Sequence, residues 1–504
     1  MHLVENRAFK GTVYGLIQFI VTFIQSILLV PLLLTVWGQE KYGLYILVFT
    51  FIQLLKAIDF GLQTFVGNEF TREYYVDNKR AGIIISSGIL MAFILGGLEF
   101  FLFAILWKTG IVYSILNVPH GSNDIMWGIL AMVFMWWIVG AITGIMTRAV
   151  VCKGLYPKTI LWGIYLKFLE ILMLLLAGLT NLSISGMLFA WAGINFIYLG
   201  LVLRWTMDYL KEFKIYKPFG SLKEGVQMLK KSSILTINNI FDQVSGNGIV
   251  FLISRFISIS VIPVFITLRT ITNTVLQFNS LLVNPLQPEL IRYHAERSVD
   301  KIFSVFQAVW IINGLIINIS LLLIIPFIRE IYMIWTKNIL PFNENLYFLL
   351  CTSAALVNYG KILTTYLFGI NDVRAISYIS FSRFFVLFIV SLISIKYYGV
   401  MGIGIGFLFS ELVSSVIIPI YLTKKNLKIL NDKKIAWNVI LSMLPIGVLV
   451  GCFVMELCTT YSSIFITIIG AIIIIIVYIL QWFKLESSVQ LRLKSFVIQL
   501  YHQK

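Results

Sequence analysis

The chain carries about fourteen apolar runs, each long enough to cross a lipid bilayer as a helix. A membrane-spanning helix needs roughly 20 apolar residues, and with 59% hydrophobic and only 12% charged residues no single soluble core could bury them all. The runs are too long for the alternating strands of a membrane β-barrel. We therefore predict an all-α integral membrane protein of about fourteen transmembrane helices. The predicted spans, numbered 1 to 14, are 11–37, 42–66, 83–107, 125–147, 159–179, 187–206, 232–257, 262–285, 304–334, 346–370, 375–395, 400–422, 436–459 and 463–483.

The positions of lysine and arginine predict the orientation of these spans. Most of the 39 basic residues fall at the N-terminus, after the even-numbered spans and in the C-terminal tail. Because such residues favour the cytoplasmic side of a membrane, both termini are expected there. The net charge of +16 then reflects orientation and contact with anionic membrane lipids, so no nucleic-acid partner is predicted.

Motifs for covalent chemistry or metal binding are missing from the sequence. The four cysteines form no CxxC pair, and the four histidines fall in separate loops or tails. No phosphate-binding loop, zinc-hydrolase helix or serine-nucleophile motif occurs. The connections predicted on the outer side are short, the longest being about 108–124. We therefore predict a transporter with no cofactor and no metal site, and keep a membrane glycosyltransferase or polymerase as an alternative.

An internal repeat divides the first twelve spans into two halves. Shifting the sequence by 224 places 62–63 on 286–287, both Leu-Gln, and shifting it by 215 places 153–160 on 368–375. Six spans per repeat is an even number, so the halves run in the same direction and are related by pseudo-two-fold symmetry. The predicted domains are an N-lobe (1–215, spans 1–6), a cytoplasmic linker (216–231), a C-lobe (232–423, spans 7–12) and a C-terminal helix pair with a cytoplasmic tail (424–504).

Spans 1, 2, 7 and 8 carry polar residues at three- and four-residue spacing, which places each row on one helix face. Since a polar row facing lipid is costly, the rows are expected to line an aqueous cavity shared by the four helices. Hydrogen bonding between packed helices is the alternative. The row members singled out for substrate binding are Gln18 in span 1, Lys56 in span 2, Asn239 and Gln243 in span 7, and Arg269, Asn273 and Gln277 in span 8.

Two cations inside the spans have an acid three residues further along the same helix. Lys56 precedes Asp59, and Lys167 precedes Glu170. Residues at this spacing are neighbours on a helix surface, so local ion pairing explains both without a substrate. Contact with an anionic substrate is the other interpretation, and both lysines are kept as candidate binding residues.

Three further cations, Arg269, Lys361 and Arg383, have no acid at three or four residues in their own helix. An arginine presents a planar fork of N–H donors that suits phosphate oxygens. We therefore predict that these residues grip an anion, with Arg269 first because it heads the polar row of span 8. Pairing of Arg383 with Glu411 is an equally admissible alternative.

The acids inside the spans are candidates for ion coupling. Asp242 beside the row of span 7, Asp59 in span 2 and Glu411 in span 12 could exchange a proton or hold Na⁺ with neighbouring amide oxygens. The alternative is that they are polar groups of a cavity or partners in ion pairs. The sequence leaves H⁺ and Na⁺ both open as the coupling ion.

Two segments resemble a known family. The stretch 30–70 resembles the opening of polysaccharide and O-antigen flippases of the multidrug/oligosaccharidyl-lipid/polysaccharide exporter superfamily, and 397–411 is similar to the late glycine-rich helix of that family. The resemblance implies two six-helix lobes, a central cavity lined by spans 1, 2, 7 and 8, and alternating access. The residues that carry the match in the first stretch are Gly38, Tyr42, Gly43, Asp59, Phe60 and Gly61.

The same resemblance implies the substrate and setting. A flippase of this family carries an undecaprenyl-diphosphate-linked oligosaccharide outward across the bacterial inner membrane during O-antigen, lipopolysaccharide or other surface polysaccharide biosynthesis. It implies a polysaccharide polymerase and chain-length machinery as partners, and an ion-coupled antiporter mechanism. An ion-coupled multidrug exporter of the same superfamily is the alternative, although those proteins usually have twelve spans.

Overall fold

The computed structural model describes residues 2–213, 220–428, 433–458 and 462–483. Within these ranges the chain consists of helices joined by turns and loops and contains no strand, which confirms the predicted all-α class. Residues 216–219 of the predicted linker and the predicted tail from 484 to 504 lie outside the described residues.

Nineteen α-helices are present in the described chain, and three π-helical segments join some of them. The π-helical segments are Trp136–Gly140, Val244–Gly248 and Leu412–Ile417. The α-helices are α1 (His2–Tyr74), α2 (Asn78–Lys108), α3 (Ile111–Leu116), α4 (Asn123–Met135), α5 (Ala141–Ala149), α6 (Tyr156–Leu179), α7 (Ile184–Tyr209), α8 (Leu222–Gln243), α9 (Ile249–Phe256), α10 (Ile262–Val283), α11 (Gln287–Ala295), α12 (Val299–Leu323), α13 (Ile325–Trp335), α14 (Glu344–Gly369), α15 (Val373–Tyr398), α16 (Val400–Glu411), α17 (Ile418–Asn426), α18 (Lys433–Cys458) and α19 (Ser463–Phe483).

Twelve helical segments of the described chain are long and apolar enough to cross a membrane. The number is lower than the predicted fourteen for two reasons. Predicted spans 1 and 2 form one continuous segment, Val13–Tyr74, which leaves helical geometry at Gly38 (φ 70°, ψ 179°). Because a positive φ of this kind favours glycine, Gly38 joins two helices end to end. Predicted span 7 forms the helices α8 and α9, but these helices are not apolar enough to be among the twelve membrane-crossing segments.

Predicted span 9 differs from the structure. The sequence predicts one helix over 304–334, whereas α12 ends at Leu323 and α13 begins at Ile325. Pro326 explains the break, because proline has no backbone N–H to continue the hydrogen bonds of α12, whereas it is tolerated in the first turn of a new helix. The short helix α11, which follows α10 directly, was also not predicted.

The helices form two compact units. Unit 1 comprises Met1–Pro263 and Trp335–Leu340, and unit 2 comprises Val264–Ile334 and Pro341–Lys504. Helices α8 and α9 therefore pack within unit 1, although the repeat groups predicted span 7 with the second half of the chain. The lobe boundaries at 1–215 and 232–423 stay a prediction about the repeat.

Glycines allow the closest helix contacts in unit 1. A Cβ at Gly61 would lie 2.4 Å from the backbone nitrogen of Thr236, and one at Gly43 would lie 2.3 Å from the carbonyl oxygen of Ile259. Small residues at such positions let helix backbones approach closely and gain van der Waals contact. Two glycines that carry the family resemblance therefore have a packing role, and Gly61 holds α8 against α1.

The C-terminal helices are part of unit 2. On α19, the Tyr478 hydroxyl accepts a hydrogen bond from Asn318 Nδ2 on α12 at 3.0 Å. On α18, the ring of Phe453 stacks on Phe348 of α14 with centroids 4.5 Å apart. A buried polar contact and an aromatic stack thus hold α18 and α19, the two helices outside the predicted repeat, against the rest of unit 2.

We expect Gly61→Ala to destabilise the protein by about 1–3 kcal/mol, because the added methyl group overpacks the contact between α1 and α8. Gly15→Ala on the same helix is the matched control, since a Cβ there meets nothing within 4 Å. Thermal unfolding of both variants in detergent measures the difference. Equal melting temperatures for the two variants would contradict the packing role of Gly61.

Candidate functional site

Each of the three π-helical segments adjoins charged or polar residues that the sequence singled out. Trp136 begins the first segment and contacts Asp59 and Lys56. The second segment follows Asp242 and Gln243, and the third follows Glu411. Single π-helical turns interrupt the regular hydrogen-bond ladder of a helix and are frequent at functional sites. These segments therefore direct attention to one charged group in unit 2 and another in unit 1.

The group in unit 2 is built around an ion pair. Nε of Arg383 on α15 lies 3.2 Å from Oε1 of Glu411 at the end of α16, and its NH2 donates to Oε2 at 3.3 Å. Ser415 in the third π-helical segment donates to the same carboxylate at 2.5 Å. A Cβ at Gly360 would lie 1.8 Å from the Ser415 carbonyl oxygen, so glycine lets α14 reach this segment. Pairing of Arg383 with Glu411, one of the two sequence interpretations, is what the structure shows.

Two further cations surround this ion pair, and we call Arg269, Lys361, Arg383 and Glu411 the cationic cluster. The guanidinium of Arg269 on α10 lies 4.9 Å from the ring centroid of Phe407 and interacts electrostatically with Glu411. Lys361 on α14 lies within electrostatic range of Arg383. The cluster thus contains three cations and one carboxylate, and Arg383 and Arg269 are the cations that interact with that carboxylate. Since uncompensated charge inside a membrane is expensive, such a cluster suits an anionic ligand.

The polar residues that follow Arg269 share its helix face. Asn273 and Gln277 come four and eight residues later on α10, and Asn273 is half-buried while Gln277 is exposed. An exposed amide in a membrane helix needs water or another polar group to satisfy its hydrogen bonds. This face of α10 therefore offers an arginine followed by two amides.

The charged group in unit 1 is centred on Trp136. Its indole Nε1 donates to Oδ2 of Asp59 at 2.8 Å, and Nζ of Lys56 lies 4.9 Å from its ring centroid. Lys56 thus contacts the indole ring by a cation–π interaction, rather than forming the local ion pair with Asp59 that its spacing suggests. A Cβ at Gly140 would lie 2.2 Å from this indole ring, so the last residue of the π-helical segment leaves room for it.

Glu99 on α2 joins the same group and was missed as a candidate. Its side chain is 3% exposed, and it interacts electrostatically with Asp59 and Lys56. The available sequence signal was an acid isolated in a long apolar run. Nothing in the sequence indicates that α2 brings it beside Asp59, which precedes it by 40 residues on another helix.

Lys167 forms the local ion pair that its spacing predicts. Its Nζ lies 2.7 Å from Oε2 of Glu170 on α6, and the same oxygen accepts a hydrogen bond from Gln25 Nε2 of α1 at 3.4 Å. A Cβ at Gly163 of α6 would lie 3.0 Å from Gln18 Nε2. The polar row of span 1 thus packs on α6 at two positions, as the alternative of bonding between packed helices predicts.

The row of predicted span 7 is more open. Asp242 is exposed, while Asn239 and Gln243 are half-buried. Gln243 accepts a hydrogen bond from Asn247 Nδ2 at 2.9 Å through Oε1, which links α8 to the second π-helical segment. The contact of this row with an aqueous cavity stays a prediction.

Arg148 on α5 is a second residue that the sequence analysis missed. It is half-buried, and NH1 donates to Oε1 of Gln63 at 2.8 Å and to the Gly144 carbonyl oxygen at 3.3 Å. Because predicted span 4 ends at residue 147, the sequence analysis assigns Arg148 to the basic connection that follows this span. Its contact with Gln63 ties it to α1 one turn beyond Asp59.

Comparison with protein families and with curated proteins finds no match for the chain. Solved structures share its fold, among them the following three. An inward-facing multidrug resistance MATE transporter of the MOP superfamily has a TM-score of 0.64 at 13% identity, over 82% of this chain and 96% of that one. The lipid II flippase MurJ, in an inward closed conformation, has a TM-score of 0.59 at 14% identity, over 94% and 97%. The Vibrio cholerae MATE transporter VcmN in its bent form has a TM-score of 0.54 at 12% identity, over 85% and 98%. The chain thus has the same fold as these three membrane proteins.

We expect Arg383→Gln and Glu411→Gln each to lower the stability of the protein by about 3 kcal/mol, because each removes one partner of a largely buried ion pair. The double variant should lose less than the sum of the two, since neither charge remains. Thermal unfolding in detergent supplies the double-mutant cycle.

Arg292→Gln is the matched control, because the ion pair of Arg292 with Glu289 is exposed and contributes little. Additive losses in the double variant would show that Arg383 and Glu411 do not act as a pair.

Proposed function

We propose that the chain is a flippase that carries an undecaprenyl-diphosphate-linked oligosaccharide from the cytoplasmic to the outer leaflet of the bacterial inner membrane. It works by alternating access, is coupled to an ion gradient, and serves surface polysaccharide assembly. The observation that carries the proposal is the cationic cluster of unit 2, which holds three cations and one carboxylate among apolar helices.

The physical task of such a protein is to lower the cost of moving a charged headgroup through hydrocarbon. Polar groups without hydrogen-bond partners, and charges without counter-charges, are strongly disfavoured there. The protein meets this need with positive charge for the diphosphate and amide groups for the sugar hydroxyls, while the lipid tail stays in the bilayer. No covalent step is required, so the chain is proposed to be a transporter and not an enzyme.

The geometry suggests different roles for the three cations. Arg383 is held by both oxygens of Glu411, so we assign it to shaping the cluster. Arg269 lies over the ring of Phe407, a contact that orients the guanidinium, and its planar fork of donors suits phosphate oxygens. Lys361 adds positive charge within electrostatic range of Arg383. Asn273 and Gln277, on the same face of α10, are the proposed partners for the sugar nearest the diphosphate.

The similarity to solved structures supports a flippase. MurJ, described as a lipid II flippase, matches 94% of this chain, whereas the two MATE structures match 82% and 85%. A lipid-linked substrate therefore accords with MurJ, which covers the largest share of this chain among these three structures. As further proposals, both termini lie in the cytoplasm, and a polysaccharide polymerase and chain-length machinery receive the product.

A multidrug exporter is the second candidate, because a MATE transporter has the highest of the three TM-scores, 0.64. Drug susceptibility of a deletion strain distinguishes the two. Sensitivity to several unrelated cationic drugs with normal surface polysaccharide would favour the exporter. Sugar transfer by the purified protein would instead indicate a glycosyltransferase or polymerase.

We expect Arg269→Glu to reduce polysaccharide export by about tenfold or more, because a charge-assisted contact worth about 1.5–3 kcal/mol is replaced by repulsion of the diphosphate. Arg269→Lys should retain part of the activity, since it keeps the charge and loses the fork. Surface polysaccharide per cell, normalised to the amount of protein in the membrane, is the measurement.

Arg329→Glu is the matched control, since Arg329 is an exposed arginine of α13 in the same unit, and it should leave export near the wild-type level. Normal surface polysaccharide in a stably produced Arg269→Glu protein would remove Arg269 from the proposed binding site.

A further inference from the structure

Two carboxyl groups lie together inside unit 1. Asp59 of α1 is 0% exposed and Glu99 of α2 is 3% exposed, and the two groups are in hydrogen-bonding contact. Two carboxylates this close repel each other when both are ionised, and the repulsion is strong where water is excluded. Their proximity therefore requires a positively charged partner or a proton.

The hydrogen bonds of the pair are incomplete in a specific way. Oδ2 of Asp59 accepts from Trp136 Nε1 at 2.8 Å. Within the described part of the chain, Oδ1 of Asp59 and Oε1 of Glu99 receive no hydrogen bond from any other donor. Ionised carboxylates are acceptors only, whereas a protonated carboxyl group donates. One proton between the two groups would supply the missing donor.

The surrounding positive charge neutralises only one of the two carboxylates, so one proton is needed for the other. Lys56 lies over Trp136 and interacts electrostatically with Glu99 and Glu170. Glu170 already has its own partner, because Lys167 lies 2.7 Å from it. Lys56 can therefore balance one of the two carboxylates of the pair, and a proton balances the other.

The other helices around the pair do not change this balance. Arg148 on α5 is engaged by Gln63, one turn further along α1 than Asp59, and α8 contributes the uncharged Thr236 at its contact with Gly61. Among the described residues, Lys56 is the cation that interacts electrostatically with the pair, whereas Glu170 acts on Lys56 and is itself paired with Lys167.

We propose that Asp59 and Glu99 hold a single exchangeable proton between them and form the site where proton binding is coupled to transport. This inference rests on the proposed function, which requires an ion-coupled exporter, and identifies H⁺ as the ion. An alkali cation needs several oxygen ligands, whereas the pair is flanked by an indole N–H and an ammonium group.

The arrangement explains how a proton would alter the helices. With the proton present, one carboxyl group donates to the other and α1 stays bound to α2. When the proton leaves to water, two carboxylates face each other, and the ammonium of Lys56 is drawn from the indole ring towards them. Trp136 begins the π-helical segment between α4 and α5, so the change reaches that interruption of the helix. Proton release thus acts on a segment already weakened in its hydrogen bonding.

Infrared spectroscopy of the full-length protein in liposomes tests the proposal without a substrate. The wild-type protein should show the C=O band of one protonated carboxyl group near neutral pH, and the band should shift in D₂O and vanish at alkaline pH. Asp59→Asn and Glu99→Gln should each lose the band, because the remaining carboxylate is then balanced by Lys56. Glu170→Gln, which removes a carboxylate already paired with Lys167, should keep it.

A band that survives in both Asp59→Asn and Glu99→Gln, or no band in the wild-type protein, would overturn the proposal. So would loss of the wild-type band when choline chloride is replaced by sodium chloride, because the pair would then bind Na⁺. Glu99→Asp keeps an acid with a shorter side chain and should move the band rather than remove it, which provides a second variant if Glu99→Gln does not fold.

These outcomes are independent of the proposed function. If the band behaves as expected while Arg269→Glu exports normally, the proton site stands and the flippase assignment fails. If the band is missing while Arg269→Glu abolishes export, the flippase assignment stands and its coupling lies elsewhere.

Discussion

The structure depends on one constraint, which is that a charge placed among apolar helices needs a partner. Arg383 meets it with Glu411, and Lys167 meets it with Glu170. Each of these pairs fixes the geometry of one unit at a defined place. The places where positive and negative side chains differ in number are then the candidates for binding a charged ligand or a proton. Among the described residues, the cationic cluster of unit 2 holds three cations and one carboxylate, which suits an anion. In unit 1, two carboxyl groups lie near the single ammonium of Lys56, which suits a proton.

Close helix contacts make these charged groups possible. Gly61 and Gly360 let neighbouring backbones approach within van der Waals distance, and Gly140 leaves room for the indole of Trp136. The π-helical segments supply the local departures from regular geometry that place Trp136 and Ser415 against carboxylates. The charged groups thus depend on the close packing, because a larger residue at any of these glycines would displace a hydrogen-bonding group.

The sequence predicts the parts of this design that depend on local spacing. Apolar runs predict the helices, and the three-residue spacing predicts the ion pair of Lys167 with Glu170. It does not predict contacts between distant helices, such as Glu99 beside Asp59. The same spacing misleads for Lys56, because Trp136, 80 residues away, offers an aromatic face instead. Breaks are also harder to predict than spans, as the separation of α12 from α13 shows.

The central claim is that the chain moves a lipid-linked oligosaccharide between leaflets, and its most direct test is the sidedness of that lipid when the chain is depleted. The measurement is the fraction of lipid-linked repeat units in spheroplasts that a membrane-impermeant sugar-modifying reagent can reach from outside. The account predicts that the units accumulate and become inaccessible, because they remain in the cytoplasmic leaflet. Units that stay accessible from outside at the wild-type fraction after depletion would contradict it.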